Sequence, residues 1–182
     1  AFAVVLYEKT EAFSFFITKI FSSLTEISNS LDWSSTAVIQ SNWRGYEIHS
    51  AILQYKNYPF LNQLIGYGFG ERIEVGVYAF QFLNILNSDG SAATSIPVLH
   101  NGYATMLCKL GILGIILYAL FYLSLIRLGR KNKNQYYLAE LLVAITISMV
   151  GETYFLNGLF RENINYPFVY MIGYLGYSIK FK

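Results

Sequence analysis

Apolar positions follow two regimes along this chain, and the change falls near residue 102. After it they run almost unbroken. From Gly102 to Ile126 the one charge is Lys109, and Leu110 to Ile126 (LGILGIILYALFYLSLI) carries none. A bilayer core about 30 Å thick takes roughly 20 apolar residues of helix, so the pattern predicts a spanning helix at about 103–127. It runs into RLGRKNKN, where Arg127, Arg130, Lys131 and Lys133 crowd a short loop. The positive-inside rule puts that loop in the cytoplasm. A second span is expected at about 137–156, with Glu140 near its cytoplasmic end and Glu152 near the far end. The turn NGLFRENINY balances Arg161 against Glu162, as an outer loop does. A third apolar stretch, at about 164–179, stops at Lys180 and Lys182 and is short for a full span.

Before Gly102 the apolar residues recur at helical spacing, broken by glycine, proline and polar groups. By the alternation of sides, 8–101 forms a large outer loop. The opening AFAVVLY has no Met and no basic flank, so it does not read as a signal peptide. It reads as the end of a severed spanning helix, residues 1–7, of a larger polytopic protein, and the piece alone is expected to be inactive. Phe13, Phe16, Ile17, Ile20, Phe21, Leu24 and Ile27 face one way and Ser14, Thr18, Ser22, Ser23 and Glu26 the other. That pattern predicts an amphipathic helix lying on the outer membrane surface, the competing reading being a helix packed on a soluble core. A second helix is expected over Trp43–Asn57, ending before Pro59. Arg44, Ile48, Ala51, Ile52 and Tyr55 share one face of it, with Glu47 alongside. Arg44 thus stands in the first turn, where the helix dipole disfavours a cation unless an anion is bound there. Val77–Leu86 reads as a further short helix and NSDGSAATS as a mobile loop. Pro59, Pro97 and Pro167 all stand at segment edges. The fold expected is all-α: a polytopic membrane helix bundle with an outer cap of short helices.

Composition narrows the function. Of the 182 residues 54% are apolar and 13% charged, against about 25% charged in ordinary soluble domains. Disordered, collagen-like and disulfide-rich classes are excluded. A net charge of +2 offers no basic face for nucleic acid, so no nucleic-acid partner is expected. One cysteine, Cys108, and two histidines do not give metal-ligand spacing, so no metal and no cofactor are expected. His100, at the outer mouth of the first span, is either an interfacial histidine satisfied by water or a general base that takes a proton from a hydroxyl. Asn101 stands ready to orient it or a substrate. His49 projects away from the Arg44 face and is taken as structural. Glu152 lies in an apolar run, where an ionisable group is a functional candidate by default; Glu140 reads as close enough to the interface to stay wet. Arg72 and Arg161 either add positive charge to an anion site or are solvated loop charges. Gly66, Gly68 and Gly70 alternate without forming a dinucleotide fingerprint, which points to flexibility or close approach.

The order NWRGYEIHSAILQYKNYP, then GYGFGE, then HNGYATMLCKLGILGIILY entering the membrane resembles the C-terminal half of the O-antigen ligase and O-antigen polymerase family. The resemblance runs from about Arg44 to Ile126. It implies a metal-independent, inverting glycosyltransferase of the bacterial cytoplasmic (inner) membrane, its active loop facing the periplasm or exterior. The implied donor is a polyprenyl-diphosphate-linked glycan of O-antigen, capsule or exopolysaccharide type, and the acceptor a glycan or lipid. Arg44 would bind the diphosphate and His100 activate the acceptor hydroxyl, with Asn101 beside it. The glycines at 66, 68 and 70 would lie near sugar or phosphate. Polymerase is preferred to ligase as the broader class. Two alternatives stand beside the enzyme: a flippase or exporter of lipid-linked glycan, and a non-catalytic membrane protein.

Overall fold

A computed structural model of the chain describes residues 32–132, 136–156 and 166–181, with Ser14, Thr18 and Phe21 in addition. Those three are helical, within the amphipathic helix expected over 13–27. The other residues expected in that helix, the opening 1–7 and the expected turn carrying Arg161 lie outside the described residues.

The described chain is mostly helical: α1 (Thr36–Ser41), α2 (Trp43–Lys56), α3 (Phe60–Ile65), α4 (Tyr78–Leu83), α5 (Gly102–Lys131), α6 (Tyr136–Leu156) and α7 (Tyr166–Phe181). Two short strands depart from the all-α expectation. β1 (Ile73–Glu74) pairs antiparallel with β2 (Ser95–Ile96), with Ile73 opposite Ile96. The loop NSDGSAATS is accordingly built rather than loose. Asp89 accepts from the Ser91 N–H at 2.9 Å, Gly90 takes a left-handed φ of 82°, and Leu86 bridges Ala92. Asp-Gly is a hairpin signal, and here it returns the chain so that β2 reaches β1.

Two cores hold the molecule. The first gathers Ala51 of α2, Ile73 and Val75 around β1, Ala79, Ile96, Leu99, and then Ala104 and Cys108 from the start of α5. Burying one such aliphatic side chain stabilises by about 1.5–3 kcal/mol. The second joins Tyr122 of α5 with Leu142, Ile145 and Met149 of α6 and with Ile172, Leu175 and Ile179 of α7. Here Gly129 lets the helices approach: a Cβ would stand 2.7 Å from Val143 Cγ2 and 2.9 Å from the Ala139 carbonyl oxygen.

One helix therefore serves both cores, and it breaks between them. Gly111 has φ 65° and ψ −167°, outside the helical region. The expected span from Gly102 is thus two segments, 102–110 packed in the first core and 112–131 in the second, and the packing boundary falls at Gly111 rather than Gly102. The break is interlocked with the glycine run. Gly66 (φ 73°) lies so close that a Cβ would stand 2.2 Å from the Lys109 carbonyl, and one on Gly111 would stand 2.4 Å from that of Leu64. The carbonyls that the break strips of helical partners are recovered by Tyr67 N–H to Cys108 O at 3.2 Å and Gly68 N–H to Lys109 O at 2.8 Å.

By length and composition α5 and α6 are long and apolar enough to cross a membrane, while α7 is shorter.

Candidate functional site

His100 occupies the turn that leads into α5, and three local hydrogen bonds fix that turn. Asn101 is the N-cap, its side-chain oxygen accepting from Ala104 N–H at 2.9 Å. A cap of this kind contributes about 0.5–2 kcal/mol. Thr105 Oγ1 donates to the Asn101 carbonyl and accepts from the Leu99 N–H, each at 3.1 Å. Leu99 on one side and Thr105 on the other are fully buried. His100 is therefore pinned by its neighbours, with its own ring left partly open.

The ring meets Glu47 of α2. Nδ1 of His100 lies 3.0 Å from both carboxylate oxygens, and the His100 main-chain N–H donates to Oε2 at 2.9 Å. The Glu47 side chain is 1% exposed and that of His100 43% exposed. A buried carboxylate facing Nδ1 selects the tautomer with the proton on that nitrogen, so Nε2 is the lone-pair nitrogen. A deeply buried acid is costly unless hydrogen bonded, and these two donors are what satisfies it. An imidazole oriented and backed by a carboxylate in this way has the geometry that can stabilise an imidazolium once a proton is taken.

Arg44 precedes Glu47 by three residues on α2, hence on the same side of the helix. It is half-buried in the first turn, as its sequence position implies. Aromatic rings brace this end of α2. Trp43 sits edge-on to Phe82 at 5.3 Å, Tyr46 edge-on to Tyr78 at 5.4 Å, and Tyr78 stacks on Phe82 at 5.5 Å. Burial pushes the Tyr46 phenol above its ordinary value. The indole N–H of Trp43 is buried and makes no hydrogen bond. His49, taken as structural, lies against the Trp33 ring at 5.7 Å.

The other sequence candidates are placed apart. Arg72 clasps the hairpin, Nε donating to Ser95 Oγ at 2.9 Å and Nη2 to Ser95 O at 2.6 Å. The Asn101 amide is spent on the cap and on Tyr154 O at 3.0 Å, which ties the C-terminal end of α6 to the site. Gly66 approaches the α5 backbone, while a Cβ on Gly68 or Gly70 would meet nothing within 4 Å. Lys109, the one charge between Gly102 and Ile126, is 4% exposed and donates to the Phe69 and Glu71 carbonyls at 2.5 and 2.7 Å. Glu140 lines a groove of about 550 Å³ with Arg130 and Val143, at the opposite end of α5 from His100. Arg161 lies outside the described residues. Among the described residues no cluster of His, Cys, Asp and Glu has the makings of a metal site.

Glu47 is the participant that sequence reasoning placed only beside the Arg44 face. Its signal was faint: a carboxylate one turn after Arg44 on a helix whose inner positions are otherwise small, apolar or aromatic.

No protein family, curated protein or solved structure matches the chain.

Proposed function

We propose that the chain carries the outer catalytic part of a multi-pass glycosyltransferase of the bacterial cytoplasmic membrane, acting on polyprenyl-diphosphate-linked glycan as polymerase or ligase. The observation that carries this reading is the Glu47 carboxylate at 3.0 Å from His100 Nδ1, behind a ring that is partly open. In the reaction, His100 Nε2 takes the proton of an acceptor hydroxyl as that oxygen bonds to the anomeric carbon of the donor. The bond from that carbon to the diphosphate oxygen breaks, and its electron pair leaves with the diphosphate. Displacement from the opposite side inverts the anomeric carbon. The proton stays on the imidazole, where Glu47 faces the new positive charge. Arg44 receives the diphosphate, whose charge grows as the bond breaks.

Depth favours a lipid-linked donor. The site precedes the Gly111 break by the helical segment 102–110, no more than about 14 Å of helix at about 1.5 Å per residue. A diphosphate on a membrane-anchored lipid is held at headgroup level, within that reach. The segment 112–131, α6 and α7 are then the spanning part, with Arg127, Arg130 and Lys131 on the cytoplasmic side and the outer layer facing the periplasm or exterior.

The test is complementation of the host deleted for this gene with wild type, His100→Ala, Glu47→Gln and Arg44→Ala at equal membrane levels, with the surface polysaccharide resolved on a gel. Loss of the long glycan ladder in the His100 and Arg44 variants is expected. A single-repeat band left on the lipid anchor then means polymerase, and an undecorated anchor means ligase. A normal ladder from His100→Ala overturns the proposal.

A further inference from the structure

We infer, on the footing that α5 crosses the membrane as proposed above, that α3 and the loop after it are immersed in the outer leaflet as a non-spanning element whose apolar face meets lipid acyl chains.

The 57–70 stretch, NYPFLNQLIGYGFG, contains no charged residue. Phe60 is 75% exposed, Leu61 62% and Phe69 67%, and Ile65 and Tyr67 are about half exposed. Water-soluble surfaces rarely leave so many large apolar groups together. The polar side chains of α3 are turned the other way. Asn62 Nδ2 donates to Gly66 O at 3.3 Å, and Gln63 Nε2 donates to Tyr58 O at 3.1 Å and Lys56 O at 3.4 Å. The amide groups are spent on neighbouring main-chain carbonyls while the large apolar groups face out, the reverse of an element made for water.

The occupant of that face is identified by what it adjoins. The Leu64 carbonyl sits against Gly111, so the exposed apolar surface of α3 continues onto exposed Ile112, Leu113, Ile116 and Leu117 of α5, the residues that would face lipid in a span. Length agrees. Arg127 follows Gly111 by 16 residues, about 24 Å of helix at about 1.5 Å per residue, short of a core about 30 Å thick. With Arg127 at the inner surface, the break and α3 lie inside the outer edge of the hydrocarbon. Irregular backbone at that depth is tolerated where protein satisfies it. Here it is satisfied: Tyr67 and Gly68 donate to the α5 carbonyls, and the buried Lys109 ammonium takes those of Phe69 and Glu71.

The experiment uses the full chain with Cys108→Ser, reconstituted in phosphatidylcholine–phosphatidylglycerol vesicles with or without bromine on the acyl chains. Single cysteines, Leu61→Cys, Phe69→Cys, Leu117→Cys and Asn87→Cys, carry an environment-sensitive fluorophore. Expected is blue-shifted emission at 61 and 69, quenched by bromolipid as strongly as at 117, with 87 quenched by aqueous iodide instead. Probes at 61 and 69 that follow 87 while 117 is quenched by lipid overturn the immersion of α3 and leave α5 as a span. Probes at 61 and 69 shielded from both quenchers mean that a second copy covers the face, which also overturns it. A probe at 117 that bromolipid does not quench removes the span and the immersion together.

Discussion

Glu47 holds His100 by two different atoms, accepting from its main-chain N–H at 2.9 Å and facing its Nδ1 at 3.0 Å, across 53 positions of chain. A single buried carboxylate thus sets both where the residue sits and which ring nitrogen is left for chemistry.

Loss of the dyad is expected to be non-additive. On the mechanism proposed above, His100→Ala removes the general base and lowers the rate by about 10²–10⁴-fold. Glu47→Gln keeps the shape but loses the charge that faces the imidazolium, and lowers the rate by less. The double variant is no slower than His100→Ala, because the two act as one unit. Initial rates with a lipid-linked donor, measured in proteoliposomes, decide this; multiplied losses would mean that Glu47 acts independently of His100.

The seam between Gly66 and Gly111 does not accept a methyl group. A Cβ at either position meets main-chain atoms at 2.2–2.4 Å, and both residues have positive φ. Gly66→Ala and Gly111→Ala are each expected to cost more than the roughly 1–3 kcal/mol of backbone strain alone. Gly68→Ala, with φ 91° and open space around it, costs that strain and no clash. Gly70→Ala leaves stability unchanged. Thermal melts in detergent give this order, and equal Tm values for the alanine variants at 66 and 68 would contradict the contact.

Asn101→Ala removes the cap of α5 and the tie to α6. The expected loss is about 0.5–2 kcal/mol for the cap, together with a drop in kcat as His100 loosens. Asn101→Asp restores the cap acceptor but cannot donate to Tyr154 O, so it recovers part of the stability. Comparing Tm and kcat for the two variants separates the cap from the tie.

Alkaline pH should weaken the first core through Tyr58. Its hydroxyl donates to Glu71 at 2.9 Å, and burial, with that carboxylate alongside, pushes the phenol well above its ordinary 10.0. A raised value means that the neutral phenol is favoured in the fold. Its contribution is complete below pH 10.0 and is lost as pH rises beyond it, because the unfolded chain gives up the proton first. Wild type therefore loses Tm as pH rises above 10.0, and Tyr58→Phe, lower at neutral pH, loses less over the same rise. Parallel curves for the two proteins would exclude the phenol.

Much of this was legible in the chain. The apolar run and its basic flank gave two long helices, Pro59 gave the end of α2, and the first-turn position of Arg44 was read correctly. The hairpin was not, although Arg72-Ile73-Glu74-Val75 alternates, because four residues are too few for a period of two to stand out. The break at Gly111 could not be read from α5 alone. Glycine inside an apolar helix is ordinary, and what stabilises the non-helical geometry is supplied by N–H groups of Tyr67 and Gly68, some forty positions earlier. Glu47 escaped for the same reason: its partner is distant in sequence, and a wheel shows faces but not what lies opposite them.

The seam at Gly66 and Gly111 is written largely in main-chain atoms, with Lys109, among the described residues, the one side chain that bonds across it. Drift in sequence can therefore replace nearly every side chain of the 67–71 loop and leave the joint standing, provided two glycines and a basic residue keep their separation. Such a joint can outlast recognisable similarity, and kinship between distant chains that share it would be sought in the spacing of those three positions rather than in the words around them.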